Sequence, residues 1–144
     1  MLKNRLAIAI LVTCLILGTV PFALGATTTA TTNVYISTLY VGAPGQTPNQ
    51  EYVKIINGGK VSVNLNGWKI KDKDAKHIYT FSSYTLKSKY TVTLRSGKGK
   101  NSGSTLYWQK DIFIWNNHDP KHNENGDTAY LYNAQGKLVS SKSG

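Results

Sequence analysis

The stretch HDPKHNENGD, residues 118–127, gathers the side chains best suited to holding a metal. His118 and His122 stand four apart, flanked by Asp119, Glu124 and Asp127. Imidazole with carboxylate suits zinc, and carboxylates alone suit calcium. Four-residue spacing brings two imidazoles together only on a helix, and Pro120 between them disfavours a regular one. The Asp-x-Asp-x-Asp-Gly spacing of a calcium loop is missing as well. The segment therefore reads as a polar surface loop with no metal or other cofactor. His118, Asp119 and His122 are the residues on which a metal would fall.

A second chemistry is cationic. In GWKIKDKDAKHIYTF, residues 67–81, Trp68 and Ile70 alternate with Lys69 and Lys71, so the lysines face away from the apolar side. Lys73 and Lys76 follow in DKDAK, where Asp72 and Asp74 alternate with them and largely neutralise the turn. SGKGK, residues 96–100, adds Lys98 and Lys100 beside glycines that expose backbone N–H groups. It lacks the ending and the strand–helix setting of a nucleotide-binding loop and reads as a flexible basic loop. These six lysines are either solvated hairpin tips or a face for a polyanion.

Catalytic patterns are missing. There is no Gly-x-Ser-x-Gly elbow, and the one cysteine, Cys14, falls in the apolar leader. A facing carboxylate pair could be built only by asserting Glu51 and Glu124. The expectation is a protein without enzymatic activity; a hydrolase working through the 118–125 loop is the weakest of three functional readings.

Something must position these groups. Lys3 and Arg5, the apolar run Leu6–Val20 and the small residues Ala23 and Gly25 have the form of a secretory signal peptide, residues 1–25. An uncleaved anchor is the alternative. ATTTATT, residues 26–32, reads as a flexible linker and residues 141–144 as a disordered tail. Between them, 33–140 reads as one domain that must stand on its core without a disulfide. The chain's net charge is +10, and losing the two leader cations leaves +8, an excess that favours polyanions in a salt-dependent way. With one arginine outside the leader, Arg95, the surface suits nonspecific association better than base reading.

No segment repeats apolar residues at helical spacing. Short β-branched and aromatic runs recur instead between Gly, Asn, Asp and Ser. Strands are expected at 34–41, 52–57, 61–72 (broken at Asn66-Gly67), 77–81, 90–95, 105–108, 112–115, 128–132 and 137–140. Alternation assigns Val53, Ile55, Trp68, Ile70 and Leu131 to the core. The aromatics, Tyr35, Tyr40, Tyr79, Tyr84, Tyr107, Trp108 and Trp115 among them, are expected mostly inside, with few exposed. The pattern defines an all-β sandwich or small barrel.

The order of pieces resembles a lamin-tail domain. The resemblance runs through EYVKIINGGKVSVNLNGWKIKD (51–72), HIYTF (77–81), LYW (106–108), IWNN (114–117) and GDTAYLYNAQGKLV (126–139), covering nearly all of 33–140. It implies an immunoglobulin-like β-sandwich of two mostly antiparallel sheets. Residue by residue, Glu51 is expected to pair with lysine at a sheet edge, Trp68 to plug the space between sheets, and Asp127 to accept backbone N–H groups. One departure stands out: HDPKHNEN, residues 118–125, is inserted where the family pattern passes almost directly from Trp-Asn-Asn to Gly-Asp. Lamin tails serve as interaction surfaces, and microbial copies are often exported. Together with the leader, this implies an exported microbial type: a secreted or cell-surface interaction or adhesion module. Its partner would be an anionic cell-envelope polymer or extracellular nucleic acid. The alternative is a protein-binding module serving a secreted enzyme or surface protein.

Overall fold

The computed structural model describes residues 32–115 and 127–144. The signal-peptide and most of the linker reading, together with His118, Asp119 and His122, lie outside those residues. Among the described residues ten strands follow in order: β1 (Val34–Tyr40), β2 (Tyr52–Asn57), β3 (Val63–Asn64), β4 (Lys69–Lys71), β5 (Ile78–Thr80), β6 (Thr85–Leu86), β7 (Thr91–Arg95), β8 (Thr105–Tyr107), β9 (Thr128–Tyr132) and β10 (Leu138–Ser143). One sheet has the order β1-β2-β7-β8, the other β10-β9-β4-β5, and β3 pairs with β6. All pairings are antiparallel except β7 with β8.

Alternation is the cause of this layering. In β2 the odd positions Val53 and Ile55 are fully buried, and in β7 Val92 and Leu94 meet them from the register Val53↔Leu94 and Ile55↔Val92. The second sheet answers with Ile70 opposite Leu131, and with Ala129, all at 0 % exposure. Trp68, 6 % exposed, sits with them. Each such aliphatic side chain contributes about 1.5–3 kcal/mol by leaving water. An aromatic chain closes one flank: Tyr79 meets Phe81 edge-on at 5.0 Å and Trp108 at 5.4 Å, and Trp108 meets Trp115 edge-on at 5.4 Å.

Residues 63–86 form one long hairpin, turning at 72–77. The expected break falls at Asn66-Gly67. Gly67 takes a positive φ of 78°, its N–H donates to the Phe81 carbonyl, and the chain re-enters the ladder as β4. Sequence patterning did not single out β6, a two-residue strand inside YTLK.

Two elements differ from expectation. Residues 112–115 are a bend rather than a strand, because the Ile114 and Trp115 N–H groups turn inward to a carboxylate instead of to a neighbouring strand. Residues 141–143 are not a loose tail. Register pairs Ser141↔Tyr130, Lys142↔Ala129 and Ser143↔Thr128 carry β10 to Ser143, and the Gly144 N–H donates to the Asp127 carbonyl.

Strand direction sorts the loops into two poles. β1, β7 and β8 end, and β2 begins, at one pole of the sandwich, here called the crown. The Ile36 N–H donates to Ser140 Oγ at 3.1 Å, and Gly144 lies against Leu39, so β10 runs alongside β1 toward the crown. The registers of β9, β4 and β5 then put Asp127 and the 72–77 turn at the crown too. The opposite pole, the base, holds the start of β1, the 57–62 loop, the 87–90 turn and the β9–β10 turn.

Candidate interaction surface

Glu51 is where a catalytic carboxylate was conceivable, and the structure gives it another task. It is fully buried rather than paired with lysine at an edge. Its Oε2 accepts the Ile114 N–H at 2.6 Å and the Ser96 hydroxyl, and its Oε1 accepts the Trp115 N–H at 3.0 Å. Burial raises its carboxyl above the ordinary Glu value; the Ser96 hydroxyl and the N–H groups of Ile114, Trp115 and Gly42 pull the other way. Both oxygens are aimed at the protein's own groups, so Glu51 acts as a clamp on Ser96 and the 114–115 backbone. Among the described residues, no group of three or more His, Cys, Asp or Glu side chains could hold a metal.

Asp127 fulfils its expected role. Its Oδ1 accepts the Thr128 N–H at 2.6 Å. Burial chiefly, and the neighbouring Asp72 and Asp74, hold its carboxyl above the usual range, while the Thr128 and Lys73 N–H groups oppose this. Asp72 is itself buried, accepting the His77 N–H at 3.2 Å and lying 2.8 Å from His77 Nδ1.

The six lysines singled out from sequence fall into two loops and one strand. Lys69 is exposed on β4, and Lys71 lies over the Tyr132 ring at 4.7 Å. Lys73 and Lys76, in the 72–77 turn, and Lys98 and Lys100, following β7, reach the crown and are exposed. Acids stand among them: Lys76 pairs with Asp74 at 3.4 Å and Lys98 with Asp111 at 3.6 Å. Both pairs are solvent-exposed and worth little energetically. The 96–100 loop is also better held than a free basic loop. Asn49 Nδ2 donates to the Lys98 carbonyl at 3.1 Å, and Gln109 Nε2 donates to the Gly99 carbonyl at 2.7 Å.

Two surfaces are not legible in the sequence. On the outer face of the first sheet, register lines up Tyr40, Tyr52, Arg95 and Tyr107 in a row across four strands. Tyr40 and Tyr52 stack at 5.3 Å with planes 16° apart, and Arg95 lies 5.6 Å from the Tyr52 ring centre. The tryptophans are buried as expected, but Tyr35 and Tyr40 remain about two-fifths exposed, at 40 % and 38 %.

The second surface is the base. Buried Asn57 ties its loops together: Nδ2 donates to the carbonyls of Val61 at 2.8 Å and Leu86 at 3.0 Å, and Oδ1 accepts the Gly59 N–H at 3.0 Å. The Asn57 backbone bonds Tyr90 and Lys89 in turn. Ser88 Oγ and Lys89 Nζ donate to the carbonyls of Gly59 and Gly58. Lys60, Lys87, Lys89, Val61 and Tyr90 are thereby displayed from a cross-linked pair of loops, Val61 and Tyr90 each 60 % exposed.

Two four-stranded sheets, mostly antiparallel and packed over one core, define an immunoglobulin-like sandwich. The lamin-tail domain family model matches residues 27–143, and the chain belongs to that family, one of immunoglobulin-like interaction modules that are generally non-enzymatic. No curated protein matches the chain.

Proposed function

We propose that this lamin-tail domain acts outside the cell or at its surface as a non-enzymatic interaction module that binds an anionic polymer, an envelope glycopolymer or extracellular nucleic acid. One observation carries the reading: exposed lysines stand on β4 and at both poles, whereas the acids among the described residues are five, Glu51, Asp72, Asp74, Asp111 and Asp127. Of these, Glu51 and Asp72 are buried and contribute little to the outer surface. Lys69, Lys71, Lys73, Lys76, Lys98 and Lys100 offer the contacts on the second sheet and crown. Lysine supplies point charges suited to phosphate or sulfate and carries no base-reading geometry. Retention of the protein on an immobilised polyanion, washed stepwise with salt, tests it. Binding should fall steeply as salt rises through the range where exposed charges are screened. No retention at low salt overturns the reading.

A protein partner is the second reading, and one feature favours it. Among the described residues β5 pairs only with β4, which leaves its other side a sheet edge there, and Ile78 on it is 48 % exposed. Strand addition there would barely respond to salt.

A further inference from the structure

We propose that the base of the sandwich, where Lys60, Val61, Lys87, Lys89 and Tyr90 stand together, docks on the headgroup layer of an acidic phospholipid bilayer. The inference goes beyond polymer binding and rests on a different part of the molecule.

Charge is the first argument. None of the acids among the described residues is at the base. Lys60, Lys87 and Lys89 are exposed there, and the β9–β10 turn brings Lys137 to the same pole. The second is apolar. Val61 and Tyr90, each 60 % exposed, are more solvent-accessible than any other large hydrophobic side chains among the described residues. A phosphate polymer has no use for an exposed valine. A bilayer interface does, since apolar and tyrosyl side chains sit at headgroup depth while flanking lysines meet the phosphates. The third is rigidity: the Asn57 bonds hold the two loops in one arrangement, so little ordering is needed on contact. The fourth is chain direction. The Gly58 N–H donates to the Asn33 carbonyl at 2.7 Å, so the chain enters the domain beside this patch.

Sedimentation of the full chain with vesicles tests this, comparing phosphatidylglycerol-rich vesicles with pure phosphatidylcholine. The leader's apolar run pulls on both lipids alike, and its two cations, Lys3 and Arg5, add the same acidic-lipid pull to wild type and to every variant, so the comparison between variants isolates the base. Docking by the base predicts stronger binding to the acidic vesicles. It also predicts a loss of at least about a hundredfold in that excess for Lys60→Glu/Lys87→Glu/Lys89→Glu. Lys110→Glu/Lys142→Glu, away from the base, should keep most of it. Val61→Ser/Tyr90→Ser, which leaves the charge intact, should weaken binding at high salt more than at low salt. Equal binding to both lipids, or an acidic-lipid preference that survives the base triple variant with an unaltered circular-dichroism spectrum, overturns the proposal. Binding to soluble polyanion without binding to acidic vesicles overturns it too, and leaves the polymer reading standing.

Discussion

Glu51 ties together three segments that are far apart in the chain. Its carboxylate holds the Ile114 and Trp115 N–H groups and the Ser96 hydroxyl, joining β2, the end of β7 and the bend after β8. Glu51→Gln replaces one acceptor oxygen with an NH2 facing backbone donors. Unfolding by denaturant should show a loss of about 1–3 kcal/mol. The pH dependence has a definite sign. Because burial raises the folded-state value above 4.5, the folded protein holds the proton to higher pH than the unfolded chain. The group's contribution to stability is full below the unfolded value and is lost as pH rises through the raised one. Asp127, raised from 3.8, acts in the same direction. Thermal melts of wild type and Glu51→Gln between about pH 4 and 7 should converge as pH rises; parallel curves would show that Glu51 does not titrate this way. No sequence pattern announced the clamp. Its partners are backbone groups more than sixty residues away, and a backbone donor has no letter in the sequence.

At the scale of elements, legibility followed apolar alternation. Val53 and Ile55, Val92 and Leu94, and Ala129 and Leu131 alternate cleanly with polar neighbours, and their strands are where patterning put them. Ile112–Trp115 is equally apolar, but its backbone is committed to Glu51, so composition misled. The last residues of β10 fail in the opposite sense. SSKS has no apolar side chain to announce a strand, and its ladder with β9 is made by the backbone, with one side-chain bond between the Thr128 and Ser143 hydroxyls at 3.0 Å. Removing residues 141–144 should therefore cost stability, where loss of a loose tail would not. We expect the urea midpoint to fall, with hydrogen exchange speeding up in β9; an unchanged midpoint would return the segment to the status of a tail. The bend at Gly67 gives a smaller test. Gly67→Ala, at φ 78°, should cost about 1 kcal/mol through backbone strain.

For the molecule as a whole, the distribution of charge matters more than its sum. The net excess was readable from composition, and so was the alternation of signs in the 72–77 turn. That every acid described lies at one pole was not readable, because it depends on which strand ends the topology gathers together. On a cation-exchange surface, the protein should bind base-first. Neutralising Lys60, Lys87 and Lys89 with glutamine should lower the eluting conductivity more than neutralising Lys73, Lys76 and Lys98. Equal shifts would mean that the asymmetry is not felt at working ionic strength.

The bend at Trp115 and the turn at Asp127 are each stitched to the scaffold, one by Glu51, the other by Thr128 and the closing strand. The two stitches share no residue, so loss of one would release one end of the intervening segment and leave the other held.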